Sequence, residues 1–128
     1  MKLLRNKECP QDLCAELERC GMFTRKSIFE TDDFGDYLFA LGDYQCTLMD
    51  ARYWLNNQRG LFVSVFPLVV ANELRFHYEV LFNKNFKKHD LDDYSIVGNS
   101  SHYYKDEDSA LEEGIRCCID LINNHKLT

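Results

Sequence analysis

The sequence predicts an α+β domain in which a mainly antiparallel sheet of four to five strands packs against three helices. The segment 61–82 is the richest in β-branched and aromatic residues, which is the composition of buried strands. It is interrupted only at 71–73, which favours a hairpin of two long strands. Segments on both sides repeat apolar residues at helical spacing, which gives the order α-ββ-α-ββ(β)-α. The 128 residues are the length of one ordinary domain, so we expect a single globular unit over 1–128.

The N-terminal third predicts a helix followed by a hairpin. The helix spans 10–20, because apolar residues recur there at helical spacing and Gly21 follows as a stop. Its apolar stripe consists of Leu13, Leu17 and Cys20. The segments 26–30 and 37–41 have strand composition and flank the turn-rich run T-D-D-F-G-D, which predicts an antiparallel pair.

A second helix is predicted over 47–58. Thr47 is a good N-cap, and Asp50 three residues later completes a variant of the capping box. Gly60 can adopt the left-handed conformation that ends a helix, and the central hairpin begins at once.

The central hairpin has more apolar surface than one covering layer hides. In its second arm, alternate residues from Leu74 to Phe82 are apolar, whereas Arg75, His77 and Glu79 between them are polar. Its first arm leaves neither face polar, and Pro67 removes one ladder donor, which suits an edge strand or a bulge. Two apolar faces need more cover than three short helices give, so we expect a homodimer.

The segment 83–99 alternates charge sign without an apolar period, so we expect a long exposed loop or a frayed edge. Short segments at 95–97 and 101–104 are candidates for a fifth strand. The last helix is predicted over 107–124, capped by Asp106. The stripe that should pack across the central hairpin consists of Leu111, Ile115, Cys118 and Ile122. Gly114 within this helix predicts a close approach of helix to sheet.

Charge and hydropathy exclude two classes of partner. The net charge of −6 and pI of about 5.1 repel phosphate backbones, so we expect no nucleic-acid partner. No apolar run approaches the ~18 residues of a membrane span, so we expect no membrane partner. The first seven residues lack a hydrophobic leader, which favours a cytoplasmic location with reduced thiols.

Two sequence pieces carry a resemblance. The run A-R-Y-W-L at 51–55, followed by the apolar strand, and the run Y-Y-K-D-E-D-S-A-L-E-E-G-I near the end are similar to small proteins encoded by phages and mobile elements of gut bacteria. Their last helix runs from a tyrosine through E-A-L-E-x-G to A-L-x-L-I. The matching residues here are Ala110, Leu111, Glu112, Gly114, Ile115, Leu121 and Ile122, whereas Cys117 and Cys118 depart from the pattern. The resemblance covers about the last two thirds of the chain and implies a fold and no chemistry.

Six cysteines suggest metal or thiol chemistry, but their spacing argues against both. They are Cys9, Cys14, Cys20, Cys46, Cys117 and Cys118. No C-x2-C pair is present, so we expect free, buried thiols with no metal and no cofactor. A nucleophilic pair of Cys46 with one of the histidines at 77, 89, 102 and 125 has no support from spacing. Aspartates at 90–93 and 32–36 lack the glycine and glutamate of a calcium loop.

We therefore predict a non-catalytic protein-interaction module rather than an enzyme. The expected binding surface lies in 83–104, where aromatic residues alternate with charged ones. Its candidate contact residues are Phe86, His89, Tyr94, His102, Tyr103 and Tyr104. The alternative is a small-molecule-binding protein or a cryptic enzyme, with a pocket between sheet and helices lined by His77 or Tyr78.

Overall fold

A computed structural model describes residues 7–31, 37–88 and 94–124. Three helices and a set of antiparallel strands confirm the α+β class. The elements are α1 (Gln11–Arg19), β1 (Arg25–Thr31), β2 (Tyr37–Tyr44), α2 (Leu48–Arg59), β3 (Leu61–Val70), β4 (Glu73–Asn83), a short 3-10 helix (Phe86–Lys88), β5 (Tyr94–Asn99) and α3 (Glu107–Asn123). Within the described ranges, no helix has the length and apolarity needed to cross a membrane.

The strands divide between two sheets, in place of the single sheet of four to five strands that we expected. β1 and β2 form an antiparallel pair, and a separate antiparallel sheet has the order β3-β4-β5. In the second sheet, β3 is an edge. Pro67 pairs opposite Phe76 at a position where the backbone of β3 faces away from β4, so its missing N–H lies on the free edge. That edge is a poor partner for a further strand.

The turn between β3 and β4 consists of Ala71 and Asn72, which have φ values of 51° and 65°. Left-handed conformation at both central residues is the pattern of a type I′ turn, whose twist matches that of paired strands. The closing pair is Val70 opposite Glu73, so Glu73 belongs to the strand rather than to the reversal.

Helix α3 lies across the inner face of the central hairpin, as predicted. Leu111 is 6% exposed, and Ile115 and Cys118 are fully buried in one core cluster with residues of β3 and β4. A Cβ added to Gly114 would lie 2.3 Å from Cγ1 of Val63. Glycine at this position therefore permits the close approach of helix to sheet.

Helices α1 and α2 complete the core, and the predicted caps of α2 are confirmed. Thr47 accepts a hydrogen bond from the Asp50 amide at 3.1 Å, and the Asp50 carboxylate accepts one from the Thr47 amide at 3.1 Å. Gly60 ends the helix with φ of 67°. The fully buried leucines of the two helices are Leu13, Leu17, Leu48 and Leu55.

The segment 83–99 is more ordered than a long loop over the part that the structure describes. The loop prediction was wrong for 94–99, because the second edge of β4 pairs there with β5, and the candidate strand at 95–97 lies within β5. The backbone groups of β5 are hydrogen-bonded to β4, so the strand forms without burying all of its apolar side chains. Ile96, for example, is 60% exposed. No apolar period therefore marks this strand in the sequence. In 101–104, only Tyr104 pairs, through a single bridge to Phe76.

Candidate functional site

The structure gives two of the predicted contact residues structural roles. Phe86 packs against Gly60, where an added Cβ would lie 2.7 Å from Cδ1 of the phenylalanine ring. The Tyr94 hydroxyl donates a hydrogen bond to Oδ1 of Asn56 at 3.4 Å, and both side chains are partly buried. These contacts tie β5 and the 3-10 helix to α2 and do not form a free surface.

The remaining predicted contact residues lie at the other end of the sheet. Tyr94 pairs with Asn83, whereas Tyr104 pairs with Phe76, seven residues earlier on β4. At about 3.3 Å per residue, these positions are roughly 23 Å apart. His102 and Tyr103 are exposed beside Tyr104, and His89 lies outside the described residues. The structure therefore does not bring the predicted surface together.

An exposed apolar patch lies at the free end of the central hairpin. Val69 and Leu74 stand directly opposite each other on the face that α3 covers further along, and they are 72% and 56% exposed. Pro67 and Phe76 form the next pair on the same face. We call these four residues the hairpin patch. Pro67, Val69 and Leu74 are exposed, whereas Phe76 is half-buried.

The surroundings of the hairpin patch are aromatic and acidic. The Tyr104 ring stacks on Tyr78 with centroids 6.3 Å apart, and the neighbouring Tyr103 is 57% exposed. The first turn of α3 follows at once and carries exposed acidic side chains. They belong to Asp106, Glu107 and Asp108. An apolar centre with a charged rim is the usual arrangement of a protein-binding surface.

A second candidate site is a buried cluster of three cysteines. The sulfur atoms of Cys9, Cys14 and Cys46 all lie within 4.8 Å of one another. The side chains are 8%, 1% and 3% exposed, so they are screened from solvent. We call these residues the thiol cluster. Thiolate sulfur is a ligand for zinc and other soft metal ions, so the cluster has the composition of a metal-binding set.

Two helix starts position the thiol cluster. Cys9 precedes Pro10, the N-cap of α1, and Cys46 precedes Thr47, the N-cap of α2. The two approaches run antiparallel, since the Cys9 amide donates to the Cys46 carbonyl at 2.8 Å. Cys14 joins from the first turn of α1, where its amide donates to the Pro10 carbonyl at 3.0 Å.

The thiols of the cluster influence one another. The Cys9 thiol donates a hydrogen bond to the Cys46 sulfur at 3.9 Å, which lowers the pKa of Cys46 and raises the pKa of Cys9. Burial, with a contribution from Cys46, raises the pKa of Cys14 to about 11. Cys46 is therefore the member of the cluster that ionises first.

The other cysteines lie apart from the thiol cluster. Cys20 lies 4.0 Å from Oδ1 of Asn123, and Cys117 contacts the position of Gly98. Burial raises the pKa of Cys118 above its ordinary value. Cys20 is nearer to Cys14 along the chain than Cys46 is, but the fold brings Cys46 rather than Cys20 to Cys9 and Cys14. The sequence does carry a signal for this grouping, since a cysteine stands one residue before the N-cap of each of the first two helices.

His77 and Tyr78, the two candidates for lining a small-molecule pocket, lie on opposite faces of the sheet. Successive residues of a strand point to opposite faces of the sheet. His77 packs edge-on against Phe66 on the outer face, with ring centroids 4.1 Å apart. Tyr78 is buried beneath α3, and burial raises its pKa above the ordinary value for tyrosine.

Comparison of the chain with protein-family models, with curated proteins and with solved structures finds no match.

Proposed function

We propose that this chain is a non-catalytic protein-interaction module of phage or mobile-element origin, with the hairpin patch as its binding surface. The observation that carries the proposal is the exposure of Val69 and Leu74 as a directly opposed pair. The same two strands are buried in the core further along. Apolar side chains held together on a rigid hairpin and left in water are a common feature of surfaces that another protein covers.

The partner we propose has an apolar centre and a basic rim. Val69 and Leu74 supply apolar contact, and Tyr103 adds an exposed aromatic ring of the kind enriched at the centre of interfaces. Acidic side chains at the start of α3 follow shortly after Tyr104, which bridges Phe76 of the patch, and the whole chain carries a net charge of −6. Lysine or arginine around the partner's apolar residues would complement this rim and speed association.

Photo-cross-linking tests the surface. A benzophenone amino acid is placed at Leu74 in the full chain, and at Tyr53 on α2 as the control, because Tyr53 is 74% exposed and far from the patch in sequence. We expect one protein to be captured at position 74 in the native cell, absent at position 53, and lost when Val69→Asp is added. Identical capture at both positions, or capture that survives Val69→Asp in a folded protein, would contradict the proposal.

A homodimer is the second candidate, and the outer face of the β3-β4-β5 sheet favours it. Ile96 is 60% exposed on this face and pairs directly with Leu81, which in turn pairs with Phe62. Phe62, Leu81 and Phe66 are only half-buried. The Arg52 guanidinium lies 4.7 Å from the centre of the Phe62 ring, so a second copy laid on this face would cover Ile96 and Leu81 and meet Arg52 at the β3 end of this apolar row.

A further inference from the structure

The thiol cluster has the dimensions of a metal site. A zinc–sulfur bond of about 2.3 Å in a tetrahedral site places neighbouring sulfurs roughly 3.8 Å apart. The sulfurs of Cys9 and Cys46 are already 3.9 Å apart, and no pair in the cluster exceeds 4.8 Å. Movements below about 1 Å, within reach of side-chain rotation, would bring the third sulfur to bonding distance.

We infer that Cys9, Cys14 and Cys46 together bind one thiophilic divalent metal ion, of which Zn²⁺ is the representative. Each thiol would release its proton to solvent as its sulfur–metal bond forms, and no atom would change oxidation state. Among the described residues the cluster contains three such ligands, which leaves the fourth tetrahedral position for water or an added ligand.

The charge of the site favours a divalent ion. Three thiolates and one Zn²⁺ leave a net charge of −1, whereas a monovalent copper ion would leave −2 in a buried position. The starts of α1 and α2 both meet at the cluster, and the N-terminal end of a helix carries partial positive charge. The partial positive charges of two helix ends offset the net charge of −1 left by Zn²⁺ more fully than the net charge of −2 left by a monovalent ion.

Packing alone does not account for the arrangement of the three sulfurs. Cys118 shows what a buried cysteine of this chain looks like as a core residue, since it is fully buried in the α3 stripe and belongs to no group of three ligating side chains among the described residues. The three sulfurs of the thiol cluster instead face each other from two separate helix starts. Replacing any one of them would leave the other two with their mutual contact but without a third donor.

Metal loading of the reduced full chain tests the inference. The chain is purified under a thiol reductant, exchanged with Zn²⁺ or Co²⁺, and examined by native mass spectrometry and by the sulfur-to-cobalt charge-transfer absorption. The cluster variants are Cys46→Ser and Cys14→Ala, and the matched controls are Cys20→Ser and Cys118→Ala. We expect one ion per chain in the wild type and in both controls.

In the cluster variants we expect zinc affinity to fall by more than about 100-fold. Replacing a residue that only supports a metal ligand costs up to about 100-fold, and these substitutions remove a ligand itself. Absence of stoichiometric binding by the folded wild type, or loss of binding in a folded Cys20→Ser chain, would overturn the inference. If a cluster variant does not fold, X-ray absorption of the cobalt-loaded wild type decides the question. Three sulfur ligands support the site, and fewer than three overturn it.

Discussion

Gly114 shows how one residue sets the distance between a helix and a sheet. A Cβ at this position would lie 2.3 Å from Cγ1 of Val63 and 3.3 Å from Cγ of Tyr78. Gly114→Ala should therefore destabilise the protein by about 1–2 kcal/mol, because overpacking outweighs the roughly 1 kcal/mol gained in helix propensity. Urea unfolding measures this as a lower midpoint at unchanged slope.

The control for Gly114→Ala is Glu113→Ala, one residue earlier on the solvent side, which should change stability by less than about 0.5 kcal/mol. Combining Gly114→Ala with Val63→Ala should cost less than the sum of the two changes, because the smaller side chain makes room for the new methyl group. A Gly114→Ala protein as stable as the wild type would contradict the prediction, because it would mean that α3 can move away from the sheet at almost no cost in free energy.

At this scale the sequence predicts some features and misses others. Gly114 was predictable because a glycine in a helix with an apolar stripe has few other uses. The left-handed conformation of Ala71 was not, since alanine carries no preference for positive φ and only the register of the two strands imposes it. The presence of Cys46 in the thiol cluster was not predictable from spacing, because 32 positions separate it from Cys14 and only the tertiary fold brings the two together.

At the scale of elements, the caps decide where helices begin. Asp106 accepts a hydrogen bond from the Ser109 amide at 2.7 Å, and this bond lowers the pKa of its carboxyl group. Asp106→Ala should destabilise the protein by about 1 kcal/mol at neutral pH. Because the folded pKa lies below the unfolded value of about 3.9, this contribution is present above that pH and is lost as pH falls through the folded pKa.

The measurement is thermal unfolding of both proteins from pH 7 to pH 2.5, and the difference between them should shrink below about pH 4. Asp108→Ala serves as the control, because Asp108 lies in the same first turn and the capping bond belongs to Asp106. Its effect should stay below about 0.5 kcal/mol. Equal effects of the two substitutions, or a difference that persists unchanged at pH 2.5, would assign the stabilisation to charge in general rather than to the cap.

Elements with strong local signals were predictable with their boundaries, and elements that depend on a partner were predictable only in part. The capping box at Thr47 and Asp50 and the final glycine at Gly60 fixed both ends of α2 in advance. β5 carried only the weak signal of the short run 95–97, because its backbone bonds come from β4 and its charged neighbours hide any alternation. The residues of the predicted surface in 83–104 are spread along the sheet, since pairing with β4 separates Tyr94 from Tyr104.

At the scale of the whole molecule, the outer face of the β3-β4-β5 sheet predicts the oligomeric state. Ile96→Lys should convert a dimer at tens of micromolar into a monomer, because a charge at the most exposed position of the apolar row cannot be buried without a partner. Light scattering with size-exclusion chromatography measures this, and the melting temperature of the monomer should stay close to that of the wild type.

Tyr53→Lys is the matched control, since Tyr53 is exposed on α2 and lies off the sheet. It should remain dimeric. A wild-type chain that stays monomeric at high concentration, or an Ile96→Lys chain that still dimerises, would rule out this face as the dimer contact. Neither result would affect the hairpin patch, because Val69 and Leu74 lie on the opposite face of the sheet.

Pro67 governs what kind of assembly the exposed edge of β3 permits. The backbone positions that face outward there are those of alternate residues from Leu61 to Val69, and Pro67 interrupts this row without an N–H. A strand from a neighbouring molecule would lose a hydrogen bond in the middle of any continuous ladder. Pro67 therefore disfavours the addition of further strands along this ten-residue edge, and with it the open-ended filaments that flat, unblocked edges nucleate.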